Sequence, residues 1–140
     1  MRQIFLFILI VIHIEANTFK DNDTGLEWQD DFMAKQNEQY WENAKNYCYE
    51  LVLNGKKDWR LPNVIELLTI FDVHRHPPYI RKGFQNISKE EYWTSTEYYY
   101  PHTDKIKAAF IIDFGVGNVY ERNFEYKRNV RCVRGNKIEL

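Results

Sequence analysis

Between residues 40 and 54 the apolar positions Trp41, Ala44, Cys48, Leu51 and Val52 recur at intervals that place them on one face of a helix. The pattern predicts a helix from Tyr40 to Asn54, stopped by Asn54 and Gly55, with Cys48 on its buried side. A second helix is expected after Pro62. Asn63 can cap it, Glu66 three residues later can complete a capping box, and Val64, Leu67, Leu68 and Phe71 form its apolar stripe. The last third of the chain reads as strands. "EYWTSTEYYY" is rich in strand formers, and "KIKAAFIIDFG" places Ile106, Ala108, Phe110, Ile112 and Phe114 on one face. "GNVYERNF" and "RNVRCVRG" follow, with Gly115 and Gly117 marking a hairpin, so several antiparallel strands are predicted. Val130 and Cys132 share a face in the last of them.

Turn formers divide the rest. Asp21, Asn22, Asp23 and Gly25 lie between Phe19 and the pair Leu26 and Trp28, which predicts a short hairpin. Their oxygens invite a calcium interpretation, but the alternating loop ligands and the later bidentate Glu of a calcium hand are absent, so turn chemistry is favoured. Asp72 to Ile87, punctuated by Pro77, Pro78 and Gly83, reads as a long loop. There His74 and His76 flank Arg75, and a cation between two imidazoles opposes metal binding; no metal site is expected in the His74 to Pro78 stretch. Asn86-Ile87-Ser88 matches an N-glycosylation acceptor.

"DWRLP", Asp58 to Pro62, admits two interpretations. Pro62 biases Leu61 to an extended conformation, so Trp59 and Leu61 share one face and Arg60 points the other way. The stretch is either a binding site, with Arg60 offered to an anion beside an aromatic plate, or a structural corner leading into the second helix.

At the N-terminus Arg2 precedes an apolar run, Ile4 to Ile14, interrupted only by His13. Roughly 11 residues fall short of the ~20 that span a bilayer, so a secretory signal is expected over residues 1–16, cleaved after Ala16, rather than a stable membrane span. Residues 17–140 then form a single domain that is secreted or periplasmic. Export gives the two cysteines meaning: Cys48 and Cys132 are expected to form one disulfide, since a redox pair would use a short spacing.

With 140 residues, 44% of them hydrophobic, the chain can build one core. A net charge of -1 provides no global field for nucleic acid or anionic lipid, so any anion site must be local. Aromatics make up 16%, including ten Tyr, a composition that suits recognition surfaces.

Taken in order, the blocks Thr24-Gly25-Leu26 with Trp28, Trp41 with Ala44, Tyr47 and Cys48, Asp58 to Pro62 with Glu66-Leu67, Tyr92-Trp93-Thr94-Ser95-Thr96, Asp113-Phe114 with Gly117, and Val130 to Arg134 form a pattern. It resembles the domain family named after the C-terminal domain of the Legionella collagen-like adhesin, over roughly residues 19 to 135. The resemblance implies an α+β, C-type-lectin-like fold, with two helices packed on a twisted antiparallel sheet. It also implies a disulfide from the first helix to the last strand, as Cys48 and Cys132 would provide. The founding adhesin's domain is associated with sulfated glycosaminoglycans and trimer formation, but this chain has no Gly-x-y tract to supply a trimerising stalk, and the sequence sets no oligomeric state.

These observations favour a non-enzymatic recognition or adhesion module whose partner is an extracellular or envelope glycan or protein. The candidate surfaces are the loop Tyr98-Tyr99-Tyr100-Pro101-His102, with stacking faces and hydroxyls for sugars, and the basic residues Arg122, Lys127, Arg128, Arg131 and Arg134, which suit sulfates. A structural or assembly role in the envelope is the alternative. An oxidase of the formylglycine-generating type needs a reactive thiol, which a disulfide would remove, and no cofactor or catalytic constellation is expected. Within this scheme "DWRLP" becomes the corner that sets the second helix on the sheet, with Trp59 and Leu61 inward, Trp93 as a neighbouring structural aromatic, and Arg60 bonded internally to carbonyls or a carboxylate.

Overall fold

The computed structural model describes residues 17–139; the signal expected over residues 1–16 lies outside them. The predicted first hairpin is present as β1 (Thr18–Lys20) and β2 (Glu27–Gln29). Its turn is held by Asp21, whose carboxylate accepts the Asp23 N–H at 3.0 Å and the Thr24 hydroxyl at 2.7 Å. Arg81 donates to the same carboxylate at 2.9 Å and to Asp23 at 3.3 Å, so a cation of the protein itself neutralises this acidic turn.

After β3 (Glu38–Gln39), helix α1 runs over Trp41–Glu50 and buries Trp41, Ala44 and Cys48, as the spacing predicts. It ends earlier than expected because Leu51 is already extended. Asn54 and Gly55, with φ of 51° and 72°, are not a helix stop. They form the two-residue turn of a small hairpin in which Leu53 and Lys56 exchange N–H···O bonds of 3.1 and 3.0 Å. Asn-Gly favours that turn because both central residues need positive φ. Val52, expected on the buried face, is therefore 58% exposed.

Helix α2 (Val64–Leu68) has the predicted capping box: the Asn63 side chain accepts the Glu66 N–H, and the Glu66 carboxylate accepts the Asn63 N–H. The strands β4 (Glu91–Tyr99), β5 (Lys107–Asp113) and β6 (Asn118–Asn123) form an antiparallel meander. "RNVRCVRG" is split between two sheets. β7 (Arg128–Asn129) lies between β3 and β4, with a parallel bridge from Tyr92 to Asn129, and β8 (Val133–Arg134) pairs with β2. The result is one sheet of order β3-β7-β4-β5-β6 and a second of order β1-β2-β8, so the predicted antiparallel set contains one parallel contact.

The central strands are buried on both faces, which corrects the single apolar face expected for β5. Tyr92 and Ile112 pack with Leu67, Ile70 and Trp28 on one side. Trp93, Ala109 and Ile111 pack with Trp41, Ala44 and Cys48 on the other. Ile106 lies before the strand and is exposed. Three buried indoles satisfy their donors: Trp41 Nε1 bonds to the Thr94 carbonyl and Trp93 Nε1 to the Gln39 carbonyl, each at 2.8 Å, and Trp59 Nε1 to the Lys56 carbonyl at 3.1 Å, whereas Trp28 Nε1 meets no acceptor among the described residues. Cys48 and Cys132 are disulfide-bonded, tying α1 to the segment that enters β8. The structure is thus mixed α+β, with two helices on sheets and one disulfide.

Candidate functional site

The corner "DWRLP" is built from the inside. Trp59 and Leu61 are buried, and Arg60 joins β8 through two backbone bonds with Val133, Arg60 N–H to Val133 O at 2.8 Å and the reverse at 2.9 Å. The Arg60 guanidinium forms a two-pronged pair with Glu66, both contacts at 2.7 Å, and donates to the Gly135 carbonyl at 3.1 Å. Glu66 is fully buried and also accepts the N–H groups of Asn63 at 2.9 Å and Ile138 at 3.1 Å. A carboxylate with no access to water needs this many donors. The capping residue of α2 therefore doubles as the anchor of Arg60 and of the C-terminal segment. Pro62 presents its carbonyl to the Ser95 N–H at 2.7 Å, fastening the corner to β4.

The basic residues do not form an open cationic face. Arg131, expected to meet ligand, is 2% exposed. It donates to the carbonyls of Gln29, at 2.6 Å, and Asn86, and faces Asp30 at 3.3 Å, with the rings of Phe84 and Tyr92 against its plane. Burial removes it from any surface site. Arg122 and Arg128 both pair with Glu91, Arg122 through Nη2 at 2.6 Å. Arg134 is divided between Glu27 at 2.5 Å and Asp58 at 2.7 Å. Burial works against charge on Glu91, but Arg122, the Tyr120 hydroxyl and Arg128 outweigh it and hold the carboxyl below its ordinary range. The Arg134 fork likewise holds Asp58 down. Lys127 is exposed and lies 5.1 Å above the Tyr40 ring; among the described residues it makes no ion pair.

Of the expected loop Tyr98 to His102, Tyr98 and Tyr99 are the end of β4, while Tyr100, Pro101 and His102 follow the strand, which separates Tyr98 from Tyr99. Glu97 opposite Ala109 and Tyr99 opposite Lys107 share the α1 side of the sheet. Tyr98, opposite Ala108, is on the other side, edge-on to Tyr100 and Phe110 at ring distances of 4.9 and 5.4 Å. Tyr99 is 78% exposed, and its hydroxyl donates to Glu97 at 3.1 Å, which with the carboxylate charge raises its pKa. His102 is exposed in the following turn, with a positive φ of 70°.

Two depressions share Glu42 at their borders. One, of about 420 Å³, is bordered by the outer face of α1, including Glu42, Lys45, Asn46 and Tyr49, and by Arg60, Ser95 and Lys137. The other, of about 190 Å³, lies between Trp41, Phe124 and Tyr99 and includes Glu97 and Asp104. The outer face of α1 had no part in the sequence-based expectation, which used the helix only for its core side. Tyr49, 80% exposed beside Cys48, was its visible signal, and Glu97 and Asp104 flanking the tyrosines were the other.

One other motif is absorbed by structure. The Asn86 side chain donates to the Asp30 carbonyl at 2.5 Å and its backbone N–H to the Asp30 carboxylate at 2.9 Å, so the nitrogen of the glycosylation match is occupied internally. His74 and His76 border a separate groove with Pro77 and Pro78, and among the described residues no cluster of metal-ligating side chains occurs.

These features define an α+β domain clamped by one buried disulfide, with Arg60, Arg81, Arg122, Arg128, Arg131 and Arg134 spent on internal ties and an open polar surface at α1 and the end of β4. The profile of the family described as the Lcl C-terminal domain matches residues 17–134, and the chain belongs to that family. Among curated proteins none matches it. No helix among the described residues is long and apolar enough to cross a membrane.

Proposed function

We propose that this chain is an exported, non-enzymatic recognition module on a C-type-lectin-like fold. It engages an extracellular or envelope glycan through the outer face of α1 and the end of β4. The observation that carries this is the pair of adjoining depressions sharing Glu42, which bring exposed tyrosine rings together with carboxylate, amide, hydroxyl and amine groups. Sugars are held by such combinations of flat apolar faces and orienting polar groups. The fold assignment draws on the disulfide from α1 to the segment entering β8 and on β2, which pairs with both β1 and β8. Export is supported by the buried disulfide, a bond at home in oxidising compartments. The non-enzymatic reading is supported by the same bond, because it occupies both thiols that an oxidase mechanism would need.

A glycan array carrying neutral, amino and sulfated oligosaccharides tests this. Tyr49→Ala and Tyr99→Ala should each weaken the wild-type signal by about tenfold, the loss of one aromatic contact of ~1.4 kcal/mol. Wild-type binding that survives both substitutions would move recognition elsewhere on the molecule. An empty array, with a protein captured from the native envelope, would favour an assembly role instead.

A further inference from the structure

The smaller depression has a chemistry opposite to the one that sulfate recognition requires. Its border contains the carboxylates of Glu42, Glu97 and Asp104 against a single cation, Lys107. Its aromatic members are Tyr98, Tyr99, exposed above, and Trp41 and Phe124 below, whose rings stack at 4.1 Å with planes 8° apart, so that Phe124 covers one face of Trp41. Carboxylates and aromatic faces attract the same kind of group, a cation, through charge and through the ring quadrupole.

The chain supplies its own example at the rim. Lys45 places its ammonium 3.0 Å from Glu42 and 3.8 Å from the centre of the Trp41 ring. An ammonium is thus already the partner of Glu42 and of the second Trp41 face, which leaves Glu97, Asp104 and the exposed Tyr99 for an incoming one. Glu97 is held in place by the Tyr99 hydroxyl, which occupies only one of its two oxygens. Asp104 and Glu97 are both exposed, so their charges face incoming ligand.

We propose that this depression binds a primary ammonium group, and that the ligand is a glycan carrying a free amino sugar. The size fits a head group: about 190 Å³ is below the ~300 Å³ at which sites for whole drug-sized ligands begin. The adjoining groove along α1, reached past Glu42, then receives the neighbouring sugar units. This inference rests on the recognition role proposed above and names the ligand class for it. Sulfated sugars are disfavoured at the same place because Glu97 and Asp104, which make no ion pair among the described residues, would repel them.

The test is isothermal titration of the folded domain with a glucosamine oligosaccharide, its fully N-acetylated counterpart, and a lysine oligopeptide of equal length. The free-amine sugar should bind at least about tenfold more tightly than the acetylated one, and more weakly as salt is raised. Glu97→Gln, which keeps an acceptor for Tyr99, and Asp104→Asn should each raise Kd about threefold to fivefold, the scale of one exposed charge pair. Lys107→Gln should lower Kd by a similar factor, because it removes the competing cation. All three positions are exposed, and unchanged melting temperatures establish that the fold is intact. Equal affinity for acetylated and free-amine sugars would overturn the ammonium site while leaving the recognition role standing. Free-amine binding that ignores all three variants would also overturn it, as general charge attraction. Tighter binding of the lysine peptide than of the sugar would overturn the amino-sugar assignment, and no carbohydrate binding at all would overturn both proposals.

Discussion

Replacing Arg60 with alanine should unfold the protein more easily without depending on any ligand. The substitution strips Glu66 of both prongs of its ion pair, at 2.7 Å each, and releases the Gly135 carbonyl. Glu66 is fully buried, and an ionised carboxylate that loses its partner there costs about 3–5 kcal/mol. Two considerations reduce that figure. The Arg60 side chain is 24% exposed, so water can reach the vacated position, and Glu66 keeps the N–H groups of Asn63 and Ile138. About 2–3 kcal/mol remains, which for a domain of this length lowers the melting temperature by about 10 °C. Thermal and urea unfolding followed by circular dichroism would measure it. Arg60→Lys should recover only part of the loss, because a point charge cannot reproduce the fork. In a double-mutant cycle with Glu66→Gln the two sites should couple by at least ~1.5 kcal/mol. A melting temperature within about 2 °C of wild type, with glycan binding lost, would refute this reasoning and return Arg60 to the groove as a ligand contact.

Other expectations follow from the same geometry. Arg131→Met should destabilise by about 3–5 kcal/mol, since it takes the cation from buried Asp30, leaving that carboxylate the N–H groups of Gln85 and Asn86, yet leave heparin retention unchanged; urea midpoints and salt elution would show both. Removing the disulfide by replacing Cys48 and Cys132 with alanine should cost about 2–5 kcal/mol in urea unfolding, and the intact protein should show no reactive thiol on titration. The lowered pKa of Glu91 stabilises the folded state above the ordinary carboxylate range and is lost as pH falls through the lowered value. Stability should therefore be level from about pH 6 to 8 and fall below about pH 4, and Glu91→Gln should flatten that fall. Retention on heparin at moderate salt should be weak, because Arg122, Arg128 and Arg134 already face carboxylates.

Local chemistry made much of the fold legible in the sequence. The capping box at Asn63 and Glu66, the Asp21 turn and the buried stripe of α1 each depend on residues a few positions apart, so spacing alone carries them. Alternation alone turned Arg60 away from Trp59 and Leu61 and left its partner open; the family resemblance favoured the internal bonding that Glu66 supplies. What stayed hidden depends on distant partners. "KIKAAFIIDFG" looks like a one-sided strand until both sheet faces are covered, and Arg131 looks like a surface cation until Asp30, far along the chain, is folded against it. Asn54-Gly55 is compatible with a helix end or a hairpin, and the Leu53 to Lys56 pairing decides between them. The tyrosine run read as one sticky loop because alternation across a strand becomes visible only once β5 fixes its register. The candidate site itself was half seen: Tyr99 was singled out, while its neighbours on α1 come from a helix already assigned to the core.

Mapping amide chemical shifts in the isotope-labelled protein, as a bound oligosaccharide from the glycan array is titrated in, tests most directly where recognition resides. The account predicts shifts concentrated at residues 42–49 and 97–107, with the amides around Arg122, Arg128 and Arg131 unmoved. Shifts centred on those arginines, with α1 and the end of β4 silent, would contradict it.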